Sequence, residues 1–413
     1  MSRFSAICIG LALAALPACP QADDAYLMNQ ASGTSMNPES WPMPMSMLTP
    51  GAWSLMFMGQ AFIVDTQETG PRGAAKLYST NYGMFAASHD LWGGTFMFQT
   101  MLSLEPATIT DRRYPELFQT GETAFGKTLV DAQHPHDFFM ALGIQYAHSL
   151  GENTIVQFYF APVGDPALGP VAFPHRASAA ELPQAPLSHH WQDSTHIADD
   201  VVTAAVMYRN FVRLEASGFY GTEPGENRWT IQQGSINSWS ARLSVFPDAN
   251  WMAQFSMGRL TRPERQMPGD VIRTTASVHY TRPMEGSSWS TSLIWGRNHQ
   301  VLDQRNLNSY LLESVAPFRR KNFFTARIEL VDKDELFDDQ PDLEAQLDRT
   351  AGSTFRIGAY TGGYTRDIGT FHKVETGIGA NFTAYTMPAA IHAYYGDHPV
   401  SVSVFLRLRL HPE

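Results

Sequence analysis

The sequence predicts a closed, all-β antiparallel transmembrane β-barrel of about 16 strands, roughly 14 to 18. Three observations carry this: apolar and polar residues alternate in runs long enough to cross a bilayer, the links between runs alternate short and long, and the composition is poor in charge but rich in aromatic residues. Charged residues make up 17% of the chain and aromatics 12%, against about 25% charge in ordinary soluble proteins. No stretch after residue 20 reaches the roughly 18 apolar residues that a spanning helix needs. A chain that meets lipid with every second residue has this profile. The formal net charge of −11, with no basic tract, speaks against a nucleic-acid partner.

The elements follow in chain order. Arg3, the uncharged run Phe4 to Leu16 and the small residues after it have the plan of a cleaved secretory signal over residues 1–22, too short to span a membrane. Leu16, Pro17, Ala18 and Cys19 resemble a lipobox in which Pro17 fits poorly, so lipidation of Cys19 and ordinary cleavage both stand. Cys8 and Cys19 are the only cysteines, which leaves the exported chain without an internal disulfide. Residues 23–50 form a Met-rich segment expected in the periplasm, and 51–413 the barrel.

The strand signal is plainest at the end of the chain. Val400, Val402, Val404, Leu406, Leu408 and Leu410 alternate with Ser401, Ser403, Phe405, Arg407 and Arg409, one aliphatic face against one largely polar face. Similar runs lie at 95–105, 138–146, 239–245, 272–280 and 324–330, the second placing Phe138, Met140, Leu142, Ile144 and Tyr146 on its apolar face. Short links are expected near His89–Asp90, Gly151–Asn153, Arg209–Asn210, Pro247–Asn250, Met284–Ser287, Phe318–Lys321 and Asp367–Thr370. Long ones are expected at 66–75, 107–136, 164–198, 222–237, 261–270, 300–306, 332–352 and 386–397. Short periplasmic turns and long external loops in this order put both barrel ends in the periplasm. The acidic stretch 332–352 reads as a solvated loop or as a lip that attracts cations.

Candidate chemistry sits in two places. His134, His136, His175, His189, His190 and His196, with Asp137, Asp165 and Asp193, fall on or beside two long external loops. Imidazole suits Zn, Cu and Ni. His134, His136 and Asp137 form one candidate donor group, and Asp193 and His196 share a face if that stretch is helical. The spacing matches no standard zinc signature, and the alternative is that these loops enter the barrel mouth and use His, Asp and Trp191 to satisfy buried backbone groups. Met43, Met45 and Met47, at every second residue, offer soft sulfur ligands for Cu(I), or serve as flexible filler. No cofactor is fixed by these patterns; Cu and Zn are the ions they suit. Arg213, Arg242, Arg273, Arg327, Arg356, Arg407 and Arg409 are expected to face inward, balanced by Glu105, Glu215, Glu313, Glu329 and Glu375, which favours a filled, ion-paired lumen over an open one. Asp193, Ser194 and His196 supply the residue types of a lipid hydrolase, but no GxSxG element accompanies them.

Several phrases carry a resemblance: Met101–Pro106 (MLSLEP), Tyr114–Gly121 (YPELFQTG), Gln133–Phe139 (QHPHDFF), Phe160–Gly169 (FAPVGDPALG) and Ser188–His196 (SHHWQDSTH). They resemble a family of uncharacterised bacterial outer-membrane barrel proteins, which implies the architecture but no activity. The Met-rich leader before a barrel resembles, more loosely, copper-resistance outer-membrane proteins, although the His-Met repeats of that group are missing. The expectation is an outer-membrane protein that binds or passes transition-metal ions, copper foremost. The alternatives are a general diffusion porin for small solutes and a lipid hydrolase. The expected partners are outer-membrane lipid, the barrel-assembly machinery reading Leu410 or Phe405, and small solutes or metal ions.

Overall fold

The computed structural model describes residues 20–264, 268–285 and 287–410, with side chains from residue 24 onward. The expected signal segment up to residue 19, both cysteines and the last three residues lie outside the described residues.

Sixteen strands close into one antiparallel barrel. They are β1 Trp53–Glu68, β2 Ala75–Leu91, β3 Gly94–Leu102, β4 Phe139–Ser149, β5 Thr154–Gly164, β6 Ala198–Tyr208, β7 Val212–Tyr220 and β8 Ser238–Asp248. The second half comprises β9 Trp251–Leu260, β10 Val271–Met284, β11 Ser287–Gln300, β12 Arg305–Phe318, β13 Asn322–Lys333, β14 Phe355–Phe371, β15 Val374–Thr386 and β16 Val400–Leu410. Closure runs from Ser401↔Glu68 to Arg409↔Gln60. The short strand Met45–Leu48 continues that edge of β1, pairing with Met58 to Leu55, so backbone groups that β16 leaves uncovered find partners.

The side-chain period of two sets the two faces. Along β16, Ser401, Ser403, Phe405 and Arg407 are buried inward while Val402 and Val404 are exposed. The outer wall carries Leu214, Phe255, Leu293, Phe324 and Ile378, apolar side chains that only lipid can cover. Trp251, Tyr280 and Trp289 pack together beside the short turns, with Trp251 and Tyr280 ring centroids 4.5 Å apart, as in the aromatic girdle of such barrels. A closed barrel with this belt is an outer-membrane protein.

The long and short links keep the expected order, with shifts of a few residues. The first short turn is Trp92–Gly93, both at positive φ, the geometry of a tight hairpin. The turn expected at Asp367–Thr370 falls at His372–Lys373, because β14 runs on through a bulge between Asp367 and Gly369. A second irregularity, in the β3–β4 ladder, turns Met140 into the lumen, where it is fully buried, so its expected place on the lipid face is corrected. Arg356 is corrected in the opposite sense: its side chain is 57% exposed and pairs with Asp332.

Three segments fill the lumen. Residues 24–43, part of the segment expected in the periplasm, enter first and bury Tyr26, Leu27, Met28, Met36 and Met43 against barrel-wall methionines. The hairpin Tyr114–Ala124 and Lys127–Gln133 forms its own two-stranded sheet within the long link 103–138. The link 165–197 is buried over nearly its whole length.

Candidate functional site

The wall around these segments is ion-paired. Glu215 on β7 takes Arg242 at 2.8 Å and Arg213 at 3.2 Å, and Glu313 on β12 takes Arg176 at 2.6 Å and Arg327 at 3.0 Å. Arg407 and Arg409 on β16 meet Glu181 of the 165–197 link, with Arg409 also 2.5 Å from Glu375. These inward positions hold their charges away from lipid, and a buried charge persists when it is paired and hydrogen-bonded.

These arginines also grip the inserted segments. Arg213 donates to the Thr34 carbonyl at 2.5 Å and Arg242 to the Thr34 hydroxyl at 3.1 Å. The two inserts meet each other as well: the Asn37 amide donates to the His175 carbonyl at 2.9 Å and accepts from the Ala177 N–H at 3.1 Å. At Gly33, which has φ of 51°, a Cβ would lie 2.3 Å from the Asp165 carbonyl oxygen, so the crossing needs glycine. The N-terminal segment and the 165–197 link therefore form one two-part plug.

Five of the six predicted histidines gather where the links 103–138 and 165–197 meet. Ring centroids run His134–His190 5.8 Å, His190–His189 5.3 Å, His189–His196 5.3 Å and His196–His136 5.4 Å, with Phe173 between His136 and His189. Four have Nδ1 committed: His189 to the Asp193 carboxylate at 2.8 Å, His136 to Glu105 at 2.9 Å, His196 to the Asp193 carbonyl at 2.8 Å and His134 to the Pro135 carbonyl at 3.1 Å. A carbonyl only accepts, so in His196 the proton sits on Nδ1 and Nε2 keeps a lone pair. Burial makes the charged form costly and holds His134 down at about 3, with His189, His190 and His196 also below the usual imidazole value. These four imidazoles are thus held neutral. Asp193 stays charged: burial opposes its ionised form, but the hydrogen bond from His189 and the Arg176 guanidinium hold the carboxyl below the carboxylate range.

The other candidates are scattered. His175 points its Nε2 at Met101 Sδ, 2.8 Å away, with its ring 4.6 Å from Tyr82. Asp137 pairs with Arg228 at 3.2 Å rather than joining His134 and His136, which turn to Glu122 at 3.1 Å and Glu105. That three-residue donor group is not assembled. Met43 is buried, Met45 packs beside it and Met47 is 40% exposed, so the three do not converge on one point. Ser194 lies inside the barrel, donating to Glu223 at 3.1 Å and accepting from Arg273 at 2.9 Å; it forms no hydrogen bond to a histidine and does not face lipid.

Sequence reasoning missed Glu223 and Glu264, one in each of the links 221–237 and 261–270. Their ligand oxygens and a His190 nitrogen lie within 4.8 Å of one another. Burial raises Glu223 to about 7 against the pull of Arg273, and raises Glu264 well above the carboxylate range with Glu335 and Glu223 adding to it. His190, Glu223 and Glu264 come from three separate links, so no local spacing pattern marks them.

Two cavities flank the plug. The external one, about 410 Å³, is lined by seven carboxylates, Glu264, Asp270, Asp303, Asp334, Glu335, Asp338 and Glu344, against Arg273 and Arg305, with His190 and Trp191 among its other lining residues. The second, about 740 Å³, lies at the end of the short turns and is lined by Tyr26, Met28, Met36 and Asn37 of the N-terminal segment and by Phe211 and Phe246.

No family model and no curated protein sequence matches the chain. Solved structures match its fold. An anion-selective porin from Comamonas acidovorans superposes with a TM-score of 0.51 at 12% identity, covering 86% of this chain and 99% of that one. OmpF of Salmonella typhi, solved with daunomycin, gives 0.50 at 10% identity over 87% and 99%. OmpT, an outer-membrane protein of Vibrio cholerae, gives 0.50 at 7% identity over 88% and 100%. The barrel has the architecture of the outer-membrane porins.

Proposed function

We propose that this protein is a plugged outer-membrane channel that admits small cationic solutes. The observation that carries the reading is the plug itself: residues 24–43 and 165–197 meet at Asn37 between two open cavities. A general diffusion porin keeps a water-filled lumen; here passage requires the inserts to part. The contacts are of a kind that permits this, since the N-terminal segment rests on methionines, unbranched and adaptable in packing. Where its carboxylates are ionised, the external mouth raises the local concentration of cations and lowers that of anions. The expected export leader and the barrel-assembly machinery belong to the same reading as the route of delivery.

Bilayer recordings under a potassium chloride gradient test it. The reversal potential of whatever current flows is expected to show cation preference, reduced when Asp334, Asp338 and Glu344 are changed together to Asn, Asn and Gln. Anion preference in the unaltered protein would refute the reading.

A further inference from the structure

We propose that His190, Glu223 and Glu264 form a binding site for one divalent transition-metal ion of the zinc class, on the inner side of the external cavity. The site stands whether or not the lumen conducts. His190 Nδ1 lies 3.8 Å from Glu223 Oε1 and 4.0 Å from Glu264 Oε1. Ligand atoms about 2.0–2.2 Å from a tetrahedral zinc ion sit about 3.3 Å apart, so both gaps to His190 close by less than an ångström. The carboxylates come from two separate links and are 10% and 17% exposed, and Glu264 lines the external cavity, giving an ion a path in.

The independent observation is His190. Its side chain is 4% exposed, and among the described residues neither ring nitrogen has a hydrogen-bond partner. A buried imidazole left so is costly, and a metal ion at Nδ1 satisfies it. Glu223 Oε2 is likewise buried and unpartnered. The ring is held in place from behind: its backbone carbonyl accepts from Arg273 at 2.6 Å and Asn298 at 3.1 Å, and Gly121 of the inserted hairpin leaves no room for a Cβ, which would come within 2.6 Å of His190 Cε1. Two glutamates and one histidine form a hard-to-borderline donor set that suits Zn(II), Co(II), Ni(II) or Mn(II) better than Cu(I). His190 is the member of the histidine row that lines the external cavity, so the site is where an ion from outside first meets a nitrogen ligand.

Calorimetric titration of the detergent-folded, metal-stripped full barrel with Zn(II), and visible spectra with Co(II), provide the test, with heat-modifiability on gels confirming that each variant folds. One ion per chain at micromolar affinity is expected, with four-coordinate cobalt absorption. His190→Gln and Glu223→Gln should each weaken binding tenfold or more, and His392→Gln, at a partly exposed histidine in the link 387–399, should leave it unchanged. Three results would overturn the proposal: no binding tighter than millimolar, binding unaltered in folded His190→Gln and Glu223→Gln, or binding abolished by His196→Gln while surviving those two, which would place the ion deeper in the histidine row.

Discussion

His175 shows how a single buried side chain ties the plug to pH. The groups that face it are Met101 on β3, Tyr82 on β2 and, through its charge when protonated, His136 in the link 103–138. None offers a negative charge, and burial holds the imidazole down at about 3. When the 165–197 link is released, the ring returns to its ordinary value of about 6.5. The released state therefore binds more protons below pH 6.5, and the docked state keeps its full advantage above pH 6.5 and loses it as pH falls toward 3. Open probability in bilayers is expected to rise between pH 7 and pH 5, and His175→Gln, which cannot titrate, should shrink that rise. An open probability independent of pH in the unaltered protein would remove this role.

At the scale of elements, the barrel strands were legible and the inserts were not. The aliphatic run of β16 and the Arg-bearing faces of β8, β10 and β13 announce themselves because the period of two is local and one face must meet lipid. The N-terminal segment carries no such signal. Tyr26, Met28 and Met36 look like residues with nothing to cover them until the methionines of β1 to β4 and β6 are brought round by closure. The histidines were singled out by their clustering, but which of them meet depended on how 165–197 and 103–138 cross inside the barrel, information that no local spacing holds. Met140 and Arg356 were misplaced for a related reason, since a bulge or a rim position breaks the alternation that periodicity extrapolates. The joint between inserts yields its own prediction. Asn37→Ala strands the His175 carbonyl and the Ala177 N–H, each costing about 1–3 kcal/mol if left buried and unpaired. Hydrogen exchange over 165–197, followed by mass spectrometry, should accelerate at least tenfold while the strands stay protected; unchanged exchange in that link would mean the two inserts are docked independently.

For the whole molecule, the sheet closure that solves the backbone problem in lipid creates an interior with space to be filled, and this chain fills it with its own links. The result is a porin-type wall around a plug held by Arg213, Arg242 and Asn37, with an acidic mouth outside and an apolar-lined cavity at the other end. Everything proposed about passage depends on that plug being what closes the barrel. The most direct test is single-channel conductance in planar bilayers, comparing the unaltered protein with one lacking residues 24–44 but keeping the Met45–Leu48 strand. The account predicts small or rare openings in the first and larger, sustained ones in the second. Equal, steady, large conductance in both would contradict it.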